Sequence, residues 1–285
     1  MSHFFHRSIC KPPVPPPSIQ HPIICALLIA FAPFAPVHAN GIKQHPCLSR
    51  LKVSKFQSVS EANATWYPLG LLIEPLATKE LNASRQVAAA KWFTREKRPA
   101  PFPIITIYGN PKQKADRFGR KALLPMKLNE SLQEYLLRQG LARADINTLS
   151  LPCAKHFLEI EAEARQSRLG LWAHKVYQLR NARSLHLSDK VSTYQLVVGT
   201  IKSISRNPKR ISYLNFGNYW KEDFTVTLSA RSLKIWEQQG HSLDELKGQT
   251  VYVRGWIENR DGALIRIKHP QQLQYEFKDQ VREAR

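Results

Sequence analysis

The chain has 285 residues, of which 42 are Lys or Arg and 22 are Asp or Glu, giving a formal net charge of +20. That excess favours polyanionic partners through counterion release, without by itself distinguishing nucleic acid from anionic lipid or cell-wall polymer. The length leaves room for two modest domains of ~100 to 150 residues each, and no strongly apolar stretch follows residue 40, which excludes further membrane spans.

The first residues carry Arg7 and Lys11 and no acid, then an apolar run from Ile23 to Phe34 that closes on Pro36-Val37-His38-Ala39-Asn40. This is a signal-peptide layout, with cleavage expected after Ala39. The run contains Pro33 and falls short of the roughly 20 apolar residues of a membrane-spanning helix, so periplasmic or secreted localisation is expected. An uncleaved anchoring helix is the alternative. Cys10 and Cys25 lie in this leader, which leaves Cys47 and Cys153 to pair as a disulfide in an oxidising compartment. No Cys-x-x-Cys or clustered Cys/His spacing is present, so neither a metal site nor a cofactor is expected.

Short alternating stretches between Leu48 and Ile73 suggest strands. Ser84 to Phe93 reads as a helix capped by Ser84, with Val87, Ala90 and Trp92 near one face. After a proline-rich break, Ile104 to Tyr108 reads as a β-branched strand, followed by a basic loop from Lys112 to Lys121. A helix opened by Asn129 carries Leu132, Leu136 and Leu137 and stops at Gly140, and a longer one runs from about Ala154 to Leu169 with Gly170 as its left-handed end. From 173 to 190 the pattern dissolves into a polar, basic linker. Five strand-like runs follow (Tyr194 to Ile204, Arg210 to Phe216, Asp223 to Leu228, Thr250 to Ile257, Ala263 to Lys268), interrupted by a helix over Ala230 to Gln239, which suits a small barrel of the oligonucleotide-binding (OB) type.

The segment Asp116-Arg117-Phe118-Gly119-Arg120, then Leu132 to Ala142 (LQEYLLRQGLA), then Glu161-Ala162-Glu163-Ala164-Arg165 leading to Leu169-Gly170-Leu171-Trp172, resembles the staphylococcal-type thermonuclease family. The resemblance implies an α+β fold, a five-stranded OB-type barrel packed by helices, and in active members a calcium-dependent cleavage of DNA and RNA. Together with the leader, the polar linker and the strand runs, it gives the organisation 1–39 signal peptide, 40–172 thermonuclease-like domain, 173–190 linker, 191–277 OB-like barrel and 278–285 tail.

In that reaction a carboxylate activates water, a divalent cation neutralises the phosphate, and arginines hold charge that develops on the phosphoryl oxygens. Arg120 matches a family arginine that contacts the phosphoryl group, with Arg117 and Lys121 beside it as further phosphate contacts. The rest departs from the family. No Asp-Gly-Asp-Thr metal motif lies between Cys47 and Glu74; Leu69 stands where a second arginine belongs; Glu74 is the nearest replacement for a metal-binding aspartate; and no glutamate follows Pro75 as base. Little or no family-type hydrolysis is therefore expected, with calcium relevant only if a rearranged set such as Glu74, Glu80, Asp116 and Arg120 works. In the tail, Lys209, Arg210, Arg254 and Arg266 are candidate phosphate contacts, and Tyr213, Phe216 and Trp256 candidate stacking platforms, though Phe216, Phe224 and Trp256 also suit a barrel interior. The expected partner is DNA, RNA or another polyanion. An active secreted nuclease and an envelope module on anionic polymers are the alternatives.

Overall fold

A computed structural model describes residues 45–47, 66–72, 74–94, 105–108, 119–127, 130–219 and 222–275. Expectations for the leader, for 48–65, for Arg117 and the rest of the basic loop before Gly119, and for the tail after 275 lie outside the described residues. The fold is mixed α+β, and all the described residues belong to one compact unit spanning 38–285.

The first sheet gathers around strand β3 (Lys121–Lys127): β1 (Trp66–Pro68) pairs with it in parallel, while β2 (Ile105–Tyr108) and β4 (Glu130–Ser131) pair with it antiparallel. Helix α1 spans Lys79–Thr94 and so begins five residues before the expected Ser84. Its start is fixed by Thr78, whose Oγ1 accepts from the Leu81 N–H at 3.2 Å, and by Asn82, which bonds both the N–H and the carbonyl of Leu76. Leu81, Ala88 and Trp92 form its buried face, whereas Val87 is exposed.

Helix α2 (Leu132–Arg138) starts at Ser131 rather than Asn129. Ser131 and Glu134 form a reciprocal capping box, with Ser131 Oγ accepting from the Glu134 N–H at 3.1 Å and Glu134 Oε2 from the Ser131 N–H at 2.6 Å. Helix α3 (Leu151–Gln166) begins three residues earlier than expected, with Pro152 in its first turn. The glycines that end these two helices meet: both have positive φ, the Leu171 N–H donates to the Gly140 carbonyl at 2.8 Å, and a Cβ on Gly140 would stand 2.2 Å from the Leu169 carbonyl oxygen. The repeated Gly-Leu of RQGLA and RLGLW is thus a backbone-to-backbone contact that excludes any side chain.

The segment 173–190 folds as short 3₁₀ turns and a two-residue strand β5 (Arg180–Asn181), burying Tyr177, Ala182 and Leu187. The second sheet runs β5-β6-β10-β11-β9-β8-β7, with β12 (Leu273–Tyr275) also on β10. Its strands are β6 (Tyr194–Thr200), β7 (Ser203–Ser205), β8 (Ile211–Asn215), β9 (Thr225–Ser229), β10 (Thr250–Asn259) and β11 (Ala263–Ile267), and helix α4 (Ala230–Glu237) follows β9 directly. All pairs along this path are antiparallel except β5 with β6 and β9 with β11. Between β6 and β7 the chain changes partner, since Ile201 N–H donates to Gln249 and the next residue, Lys202, donates to Asn215. The strand path therefore ends on the same run of chain, 194–205, from which β6 starts.

One apolar core lies between the first sheet and α1 to α3, around Leu124, Leu137, Ile146 and Phe157, and another lies within the second sheet, around Val197, Phe216, Phe224, Trp236 and Ile265. A third cluster joins them, bringing Leu72, Leu76, Leu81 and Trp172 against Tyr194 and Leu196 of β6. Polar contacts cross the same junction. Arg254 of β10 donates to Glu161 of α3 at 2.5 Å with both side chains nearly or wholly buried, and the Tyr194 hydroxyl donates to the Ala144 carbonyl at 3.3 Å.

Removing one member of a buried ion pair strands the other in a low-dielectric interior, at about 3 to 5 kcal/mol. Arg254→Met is expected to lower unfolding free energy by that amount, and Arg254→Met combined with Glu161→Leu by much less, which denaturant titration of the four-protein cycle checks. His269 gives a pH test. Burial lowers its pKa below the ordinary 6.5, against a backbone hydrogen bond at Leu149 that favours the charged ring. The unfolded chain therefore takes up this proton at higher pH than the folded one. The contribution of the neutral ring is present above the unfolded value and is lost as pH falls towards the folded one. Urea midpoints measured on either side of that value should drop on the acid side in the native protein, and less in His269→Asn.

Candidate nucleic-acid interface

In the first sheet, Gly119 turns the chain with φ +75° and delivers Arg120 to the start of β3, where its guanidinium carbon sits 5.7 Å from the centre of the Tyr67 ring. Lys121 opens β3 opposite Trp66. Leu69 is buried in the core.

Glu74 is engaged elsewhere. Arg143, in the segment after α2, donates to Glu74 Oε1 through Nε at 3.0 Å and through a terminal nitrogen, while its other terminal nitrogen donates to the Tyr194 carbonyl at 2.8 Å. The guanidinium also lies over the rings of Tyr177 and Tyr194, at 5.0 and 5.3 Å from their centres. Arg85 donates to the Glu74 carbonyl at 3.1 Å, so the backbone here is held as well as the side chain. A cavity of about 460 Å³ adjoins this pair, lined mainly by apolar residues such as Leu71, Leu72 and Leu136.

Calcium takes six to eight oxygen ligands, mostly carboxylates and carbonyls. Among the described residues, the one group of three or more His, Cys, Asp or Glu side chains that gather is His45, Glu134 and His156, and it includes neither Glu74 nor Glu80. Glu80 is exposed in the first turn of α1, where its own backbone N–H and the Thr78 hydroxyl lower its pKa. The described donor set around Glu74 does not fit a calcium ion. The His45 group itself was missed from sequence because its members come from three separate stretches of chain, and spacing carries no signal of their meeting.

The second sheet presents a different surface. Tyr213, Thr227 and Arg266 stand opposite one another across β8, β9 and β11, and Arg266 reaches Glu258 of β10 in a forked ion pair at 2.8 to 3.1 Å. Residues two apart on a strand share a face, so Trp256 lies on the same side as Glu258. Tyr213 and Trp256 are 37% and 45% exposed. Both are candidate stacking platforms by sequence, and folding puts them on one outer face with Arg266 between them. A pocket of about 310 Å³ opens on this face, lined by Ser205, Tyr213, Asn215, Thr225 and Leu264 and rimmed by Arg260 and Asp261 of the β10–β11 turn. Lys209 and Arg210 are exposed on the turn entering β8, where Asn207 Oδ1 accepts from both of their N–H groups.

Two expected contacts belong to the interior instead. Phe216 is 1% exposed and packs on Phe224 with ring centres 5.0 Å apart, so no base can stack on it. Arg254 shares the outer face of β10 by strand parity but is covered by α3 and neutralised by Glu161, which removes it from reach of a phosphate. Cys47 and Cys153 are joined in a disulfide between the 45–47 segment and the first turn of α3.

Residues 88–174 match the family model described as staphylococcal nuclease homologue. Over that stretch, less than half of the chain, the sequence is similar to that family and consistent with a divergent SNase-like member. No curated protein matches it. Among solved structures, one described as a "crystal structure of a putative aspartyl-tRNA synthetase from Leishmania major Friedlin" aligns at 9% identity and TM-score 0.25, covering 36% of this chain and 21% of that one, so the chain spans about a fifth of that protein's length.

Proposed function

We propose that this is an exported, SNase-like protein that binds single-stranded nucleic acid or a similar polyanion, with family-type phosphodiester hydrolysis lost or strongly reduced. The observation that carries the reading is the Glu74–Arg143 pair: the nearest counterpart of the family's metal-binding carboxylate is neutralised by a buried arginine that also braces Tyr194. A carboxylate held in this way is a poor ligand for a cation. Arg120, the retained phosphate-contacting position, then serves binding.

The binding surface in this reading is the outer face of the second sheet, which we interpret as a closed OB-type barrel because the run 194–205 bonds to β10 through its first part and to β8 through its last. Tyr213 and Trp256 offer rings for bases, while Lys209, Arg210 and Arg260 supply charge at its edges. Export is supported by the leader layout and by a disulfide that suits an oxidising compartment.

Incubation of the purified protein with labelled single-stranded DNA and calcium should give no cleavage beyond that of Arg120→Ala. Calcium-dependent cleavage abolished by that substitution would instead establish the active nuclease. In binding assays across a salt series, Tyr213→Ala should weaken affinity by about 1 to 3 kcal/mol, the scale of one stacked base. Replacing both Lys209 and Arg210 by Ala should reduce the salt slope by about 2, one for each phosphate contact. Anionic vesicles that compete as well as DNA at matched charge would argue for an envelope polymer instead.

A further inference from the structure

We propose that His45, Glu134 and His156 form a divalent-metal site of the two-histidine, one-carboxylate type, with Zn²⁺ the best-suited ion. The side chains come from the 45–47 segment, α2 and α3, and both histidines turn Nε2 towards one carboxylate. His45 Nε2 lies 3.1 and 3.0 Å from the two oxygens of Glu134, and His156 Nε2 lies 2.5 Å from Oε1. The three donor atoms all lie within 4.8 Å of one another. The imidazole rings are nearly perpendicular, at 88° with centres 5.6 Å apart, and approach the carboxylate as two separate planes.

The donor set matches what zinc takes, imidazole nitrogen and carboxylate oxygen, and three protein ligands leave a fourth position for water. His45 and Glu134 are buried, while the His156 side chain keeps 29% exposure, which gives an ion a way in. Glu134 Oε2 also accepts from the Ser131 N–H at 2.6 Å, an outer contact that fixes the carboxylate and leaves Oε1 towards the histidines. The disulfide sets the reach of both imidazoles: Cys47 lies two residues after His45, and Cys153 one helical turn before His156.

In this structure His45 Nδ1 accepts from the Cys47 N–H at 3.2 Å, which puts the ring proton on Nε2, facing Glu134. Ligation through Nε2 moves that proton to Nδ1 and breaks this long contact. Metal uptake is therefore coupled to a local turn of the segment beside the disulfide. The rival account of the same geometry is a hydrogen-bonded clasp in which two imidazole N–H groups and the Ser131 N–H satisfy one buried carboxylate.

Titrating the chelator-treated full chain with Co²⁺, followed by displacement with Zn²⁺, separates the two accounts through the visible bands of tetrahedral cobalt and the stoichiometry by calorimetry. The expected result is one ion per chain, with affinity reduced at least ~10- to 100-fold in His156→Ala, since even loss of an outer contact has that effect at metal sites. Glu134→Gln should lose as much while keeping an oxygen for the helix cap. Reduction of the disulfide should also weaken binding. The proposal is overturned if the native protein shows no tetrahedral cobalt spectrum, or if His156→Ala, folded by circular dichroism, binds as tightly as the native chain. DNA affinity is not read in this experiment, so its failure leaves the polyanion-binding reading standing.

Discussion

The buried pair between Glu161 and Arg254 is the constraint on which the arrangement of the two cores depends. Glu161 is fully buried in α3; its Oε2 takes the Arg254 guanidinium and its Oε1 faces the Ala144 N–H at 3.4 Å. Two charges removed from water need each other, because solvent cannot compensate either one. The pair therefore forces β10 of the second sheet against α3 of the SNase-like part. Tyr194 fills the space alongside: its carbonyl accepts from Arg143, its hydroxyl bonds Ala144, and burial pushes its phenol pKa upward, so it stays neutral between the two guanidinium groups.

The same junction also engages Glu74. Arg143 must meet two demands, a carbonyl on β6 and a counter-charge, and Glu74 supplies the second. A hydrolytic site needs the reverse, a carboxylate whose lone pairs are open to a cation or to water. The same side chain cannot serve both at once. Attachment of the second sheet through Arg143 thus leaves Glu74 engaged by a guanidinium rather than open to a cation.

Much of the fold was legible because its signals are local. The strand runs of the second sheet were placed within a few residues, since β-branched stretches bounded by turns report on themselves, and RQGL and RLGL carried the helix ends through glycine. The errors fell where a different side chain takes the cap: Thr78 starts α1 upstream of Ser84, and the Ser131–Glu134 box starts α2 downstream of Asn129. Exposed Tyr213 and buried Phe216 look alike in sequence, three residues apart on one run, and only strand parity separates them. Arg254 was misread for a deeper reason. A lone arginine on a strand reads as surface until its partner 93 residues away is known. The gathering of His45, Glu134 and His156 is long-range in the same sense.

Strand β10 also shows how the junction bounds the candidate interface. Tyr252, Arg254 and Trp256 alternate onto one face of the strand; α3 covers the middle residue, while Tyr252 and Trp256 remain 39% and 45% exposed on either side. At the end of the open face the Trp256 ring packs edge-on against Tyr194 of β6, with centres 5.9 Å apart. The contact that holds the two cores together is thus the wall at which the open face ends. Charge on the face is left to residues whose carboxylate partners are exposed and readily exchanged, as with Arg266 and Glu258, rather than to the buried arginines that hold the fold.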